Sequence, residues 1–149
     1  MNDYSVHVAI LYMERNMLHH TATCSCGQLT ATVSGAPIRI AMCHCLACQR
    51  RTGSVFSVQA RFNADDVNIS GVSHTYEREA ESGNRLSFHF CPTCAATVHY
   101  TNTGAPGTIG IPVGAFTDPD FPGPKFSVYE MSKHSWVPLP GAEVVHEHD

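Results

Sequence analysis

The sequence predicts a mainly-β domain, all-β apart from one or two short helical turns, on three observations. Lysine is confined to Lys125 and Lys133, while threonine, valine, glycine and proline are plentiful; that mix disfavours long helices and favours short strands joined by turns. Apolar and polar residues alternate in short runs, the pattern of half-buried strands. Apolar content of 43% is near the globular norm while charged content of 15% is low, so the chain is neither disordered nor coiled-coil-like. A length of 149 residues suits one domain with a real core, which does not need metal merely because it is small.

The elements follow in order. Leu29 to Val33 alternates, with Leu29, Ala31 and Val33 on one face, and ends at the turn Ser34-Gly35-Ala36-Pro37. Ile38 to Met42, Val55 to Phe62, Val67 to Ile69, Tyr76 to Glu79, Leu86 to Phe90 and Thr97 to Tyr100 read as further strands. Thr108 to Val113 is apolar but interrupted by Gly110 and Pro112, which places it at a sheet edge. Phe126 to Tyr129 and Trp136 to Leu139 close the series, with Trp136 read as core. The one helical candidate is Leu46 to Arg51, ended by Gly53. Residues 1–22, with a second possible start at Met17, read as an N-terminal extension open to disorder; a genuine terminal strand or helix is the equal alternative. The domain is expected over 23–140, and the polar tail 141–149 is expected to fray.

Composition also excludes. A formal charge of −4 with no basic stripe lacks the footprint of a nucleic-acid binder. No stretch approaches the roughly 18 apolar residues of a membrane span. The run Val8 to Leu11, among Asp3, Glu14 and Arg15, is too short for a signal peptide. Cytoplasmic residence is the default, and there clustered cysteines bind metal or do chemistry more often than they form disulfides. An odd count of seven also argues against a closed disulfide set.

Every cysteine lies in a short motif: Cys24-Ser25-Cys26, then Cys43-His44-Cys45-Leu46-Ala47-Cys48, then Cys91-Pro92-Thr93-Cys94. A C-x-x-C turn points both sulfurs at one ion, and zinc takes four such ligands. The economical partition gives Cys24, Cys26, Cys91 and Cys94 to one closed structural zinc. The triplet Cys43, Cys45 and Cys48 is left to hold a second zinc with one position open, the pattern of a catalytic site. Two zinc ions per chain are therefore expected, the second open to partial occupancy. Against this stand inert buried thiols, which would scatter, disulfides, and a redox C-x-x-C at Cys91, which lacks its βαβ context. His44, inside the triplet, is a rival fourth ligand, but alternation points it away from Cys43 and Cys45 as a supporting or surface residue. His89, His99 and His134 read as ordinary strand residues. His19-His20 and His146/His148 read as terminal pairs that bind metal only adventitiously.

The motifs resemble those of the glutathione-dependent formaldehyde-activating enzyme family, related to the centromere protein V domain. The likeness runs from about His20 to Leu139. It rests on Cys24-x-Cys26-Gly27, Cys43-His44-Cys45-x-x-Cys48-Gln49-Arg50-Arg51-x-Gly53-Ser54-x-Phe56 and Phe90-Cys91-Pro92-x-Cys94. It continues through Gly114-Ala115-Phe116-x-Asp118-Pro119, Phe126-Ser127-Val128-Tyr129-Glu130 and Ser132-Lys133-His134-x-Trp136-Val137. The resemblance implies several small coiled antiparallel sheets around zinc knuckles, a fold shared with methionine sulfoxide reductase B, and the same division of cysteines between two zincs. A reductase reading fails because no cysteine is left outside the zinc sets. One departure is Ala95, where the family has glycine after the last C-x-x-C; a left-handed conformation there would cost about 1–2 kcal/mol.

The resemblance also implies the reaction, addition of glutathione to formaldehyde and its reverse, a carbon–sulfur lyase activity. Three thiolates leave zinc a poor Lewis acid, so hydrolysis is the weaker expectation and a thiol the better fourth ligand. A small glutathione-like thiol is thus the expected partner, with no nucleic acid and no membrane. Arg50 and Arg51 are candidates to pair with its carboxylates, though they would equally serve as two solvated arginines ending a helical turn; Lys133 and His134 are candidates to line the pocket. The alternative is a non-enzymatic zinc module that binds a thiol, a metal or a protein.

Overall fold

The computed structural model describes residues 19–139, 141 and 143–147. Met17, most of the expected N-terminal extension and His148 lie outside them. Among the described residues there are eleven strands: β1 (His20–Thr23), β2 (Thr30–Val33), β3 (Arg39–Cys43), β4 (Ser57–Asn63), β5 (Val67–Ser70), β6 (His74–Glu79), β7 (Arg85–Phe90), β8 (Thr97–Asn102), β9 (Thr108–Pro112), β10 (Phe126–Val128) and β11 (Val145–Glu147). An α-helix, α1 (Leu46–Thr52), follows β3. The mainly-β class is as expected, but the strands gather into two sheets, β1-β2-β5 and an eight-stranded β11-β10-β3-β4-β9-β8-β7-β6. β10 runs parallel to both its neighbours, while the other pairings are antiparallel.

The period of two on each strand separates two faces of the large sheet. Ile40, Ala60, Phe62 and Ile111 face one way and meet Ala22, Leu29, Ala31 and Val33 of the small sheet, with Phe116 and Phe121 closing the layer. Leu29, Ala31 and Val33 are fully buried on one face, as their alternation predicted, and Leu29 and Val33 each contribute about 1.5–3 kcal/mol of apolar burial. The intervening residues Arg39, Cys43, Gln59, Arg61 and Tyr100 point to the opposite face, where a cavity lies.

Several expectations change. β9 is no edge; it lies between β4 and β8. Pro112 does not disrupt it, because it is the last residue, opposite Gln59, and leads into a 3-10 turn at Val113–Phe116. His20–Thr23, most of which fell in the expected extension, pairs antiparallel with β2. Val145–Glu147, from the expected tail, adds to β10. Trp136–Leu139 forms no strand, and Trp136 is 69% exposed while Val137 takes the buried position. The helix starts and stops where its chemistry dictates: Cys45 caps it by accepting from the Cys48 N–H at 3.3 Å, and Gly53, at φ +70°, ends it.

Candidate metal centre

The first cysteine set forms where β1 ends and β7 ends. The Cys24 carbonyl accepts from the Gly27 N–H at 3.0 Å, and the Cys91 carbonyl accepts from the Ala95 N–H at 2.8 Å, so each pair sits on a tight turn. Ala95 is left-handed, at φ +63°, so the turn keeps the glycine-type conformation and alanine carries its cost. Cys24, Cys26, Cys91 and Cys94 bring their sulfurs within 4.8 Å of one another. Cys26 lies 3.6 Å from both Cys24 and Cys91, close to the ~3.8 Å between sulfurs on a tetrahedral ion with Zn–S near ~2.3 Å.

Donors converge on these sulfurs as they would on thiolates. The Leu29 N–H reaches Cys24 Sγ at 3.3 Å, the Thr93 N–H reaches Cys91 Sγ at 3.3 Å, and the Gln28 amide reaches Cys91 Sγ at 2.9 Å. Burial opposes ionisation of Cys91, but Gln28 and the N–H groups of Cys94 and Thr93 outweigh it and hold the thiol down, to about 6. For Cys26 the Gln28 N–H favours the anion, yet the thiols of Cys24 and Cys91 push it up to about 11. Four sulfurs this close cannot all carry charge alone; a divalent cation fits the set by replacing the protons they share.

The second set sits on the cavity face. Cys43 ends β3, Cys45 caps α1 and Cys48 lies in its first turn, with all three sulfurs within 4.8 Å. Hydrogen bonds from Cys43 and Cys45, with help from Ser57 and the Arg51 charge, pull the Cys48 thiol far down against its burial. The same contacts with Cys45 and Cys48, together with burial, push Cys43 far up. This set too can hold a metal ion and presents three donors to it. His44 points away from the set, as expected, but it is fully buried, not a surface residue; its Nε2 meets Ser127 Oγ at 3.1 Å. Its main chain anchors the loop, with its N–H on Val128 O at 3.0 Å and its carbonyl accepting from Gln49 at 2.9 Å.

Beside this set the cavity measures about 550 Å³, and Arg39, Arg50, Arg51, Arg61 and Arg78 line it against only Glu81 and Glu147. Arg39 is paired with Glu147 at 2.5 Å. Arg51 lies over the Phe88 ring at 4.7 Å, and its Nε and Nη2 are buried with no hydrogen-bond partner. Gln59 Oε1, on the same wall, is also buried and unpartnered. Arg50 and Arg51 both line this cavity. Lys133 and His134 do not join this wall: Lys133 Nζ donates to the carbonyls of His134 and Val137, and His134 Nε2 meets Gln49 Oε1 at 3.1 Å. Arg39, Arg61, Arg78 and Gln59 were not legible as site residues. Arg39 and Arg61 face each other across β3 and β4, a like-charge pairing that costs stability and is visible only once the register is known.

A family model described as glutathione-dependent formaldehyde-activating enzyme matches residues 19–132. The chain belongs to this family. A crystal structure of a Rhodobacter sphaeroides protein resembles it with a TM-score of 0.51 and 22% identity, covering 64% of this chain and 85% of that one, a likeness of fold. Among curated proteins no relative matches the chain. All seven cysteines lie inside the span the family model matches, and so do the five cavity arginines. Among the described residues, no helix is long and apolar enough to cross a membrane.

Proposed function

We propose that this chain is a zinc-dependent carbon–sulfur lyase that makes and breaks the adduct of a small aldehyde with a glutathione-like thiol, such as S-(hydroxymethyl)glutathione. The observation that carries this reading is the juxtaposition of Cys43, Cys45 and Cys48 with Arg51, whose buried donors lack an acceptor, in one cavity. Cys24, Cys26, Cys91 and Cys94 hold a structural zinc that ties β1 to the end of β7. Cys43, Cys45 and Cys48 hold the working zinc, which when bound keeps a substrate thiol as thiolate at neutral pH. Arg51 receives a substrate carboxylate on its unpaired Nε and Nη2, and Arg50 adds charge at the rim. Gln59 Oε1 accepts from an amide or ammonium N–H of the same molecule. Only a thiol with both a carboxylate and an N–H donor satisfies this wall, and glutathione has both. In the lyase direction the adduct hydroxyl loses its proton, the carbon–oxygen double bond forms, the carbon–sulfur bond breaks and its electron pair stays on sulfur. The small-molecule partner and reduced cysteines suit the cytoplasm.

Metal analysis of the wild type beside Cys48→Ser tests the assignment. The expected result is two equivalents of zinc in the wild type and one in a folded variant, with glutathione perturbing only the wild type. A single equivalent in the wild type with no response to glutathione would instead favour a non-enzymatic zinc module.

A further inference from the structure

Tyr100 lies on the cavity face of β8 and is 9% exposed. Its ring crosses Gly110 of β9: a Cβ on Gly110 would sit 2.0 Å from Tyr100 Cε1 and 2.6 Å from its hydroxyl oxygen. Only glycine admits a ring there, and the ring carries the hydroxyl across β9 toward β4, where Arg61 stands opposite Gly110. Phe88 stacks on the ring at 5.4 Å and 29°, which fixes its plane. The charged groups that reach the hydroxyl are Arg61, Cys48, Arg51 and Cys43. Burial pushes the phenol above its ordinary range, so it keeps its proton at neutral pH. Tyr100 lines the cavity together with Cys43, Cys48, Arg51 and Arg61. Stacking on Phe88 and the fit over Gly110 account for the ring; the hydroxyl is left at the cavity wall, beside the arginines and the triplet, as a donor for a bound oxygen.

We infer that Tyr100 is a catalytic residue whose hydroxyl donates a hydrogen bond to the aldehyde oxygen while the carbon–sulfur bond forms or breaks. The role rests on the proposed lyase reading. As the thiolate sulfur gives its electron pair to the carbonyl carbon, the carbon–oxygen π pair moves onto oxygen. That oxygen then takes from solvent the proton the thiol gave up. Tyr100 keeps its own proton throughout and holds the oxygen as its charge grows, with Arg61 and Arg51 reinforcing the potential. A donor aimed at developing oxyanion charge in a dry site is worth about 100-fold or more in rate.

The test is Tyr100→Phe in the zinc-loaded protein, which keeps the ring, its stacking on Phe88 and its fit over Gly110. Exchange between formaldehyde, glutathione and their adduct is followed by NMR, and glutathione binding by calorimetry. The expected result is a fall in kcat of about 10- to 100-fold with glutathione affinity within about twofold and an unchanged melting temperature. Gly110→Ala, which displaces the ring but leaves the hydroxyl, should lose rate as well. An unchanged rate in Tyr100→Phe, or a loss confined to glutathione affinity, overturns the role while leaving the lyase reading intact. No acceleration by the wild type overturns both.

Discussion

The Gln28 side-chain amide donates to Cys91 Sγ at 2.9 Å, across 63 residues of chain. The same amide nitrogen also donates to Val72 O at 2.8 Å, and Gln28 Oε1 accepts from the Val72 N–H at 3.0 Å. The loop after the first cysteine pair therefore grips the second pair and the link between β5 and β6. Partners of this kind orient a metal-binding sulfur and favour its anion.

Gln28→Ala should weaken metal retention at the four-cysteine site by about 10- to 100-fold. The triplet should be unaffected, because nothing in it touches Gln28. Chelator competition, read as the rate and extent of zinc loss per site, measures this; equal retention in the two proteins would show that the amide contact is idle.

Ala95→Gly should stabilise the protein. The left-handed conformation at φ +63° costs alanine about 1–2 kcal/mol, while glycine returns about 0.4–1 kcal/mol of that as extra freedom in the unfolded chain. The net gain is about 0.5–1 kcal/mol, a rise in Tm of about 2–3 °C for a chain this long. Thermal unfolding of metal-loaded protein checks it.

Gly110→Ala should cost about 1–3 kcal/mol through overpacking against the Tyr100 ring. Tyr100→Ala in the same background should relieve most of the clash. A double-mutant cycle is thus expected to give a coupling of about 1 kcal/mol or more between these two positions. Additive effects in denaturant unfolding would mean the ring simply moves aside.

His99 sets an acid sensitivity. Its ring stacks on His89 at 4.4 Å, and both its nitrogens are buried without partners. Burial, then the His89 charge, lowers its pKa from 6.5 to about 4. Because the folded value lies below the unfolded one, the unfolded chain binds the proton first. Stability is complete above pH 6.5 and is lost as pH falls toward 4. His99→Phe should remove about 1 kcal/mol of the decline between pH 7 and pH 5, a figure reduced for partial solvent screening. Chelation by thiolates also weakens in acid, so the comparison is between the acid slopes of the two proteins, by denaturant unfolding at each pH.

The cysteine motifs that could hold metal were legible in the residues because each is local. Cysteines two or three positions apart share a turn wherever that turn ends up, and Gly53 ends a helix by its own backbone freedom. Ala95 announced its strain by standing where a glycine belongs. The alternating runs likewise announced β2 and β4, since a half-buried strand must alternate. The arginine cavity was not legible. Arg39, Arg61 and Arg78 come from three strands, and a chain with a net charge of −4 shows no basic stripe until register and strand order collect them on one face. β9 looked like an edge because Gly110 and Pro112 interrupt it; Gly110 in fact makes room for the Tyr100 ring, a reason that resides in another strand.

What the sequence determined by itself is the mainly-β class, the short cysteine motifs and the helix at Leu46–Thr52, all of which follow from spacings of a few residues. What only the tertiary structure decided is that the two sets lie in different surroundings. One is gripped at a junction between sheets; the other opens on a cationic cavity lined by Tyr100. The physical reason is that charge, burial and unmet hydrogen bonds are properties of neighbours in space, and a β-fold draws those neighbours from strands far apart in the chain.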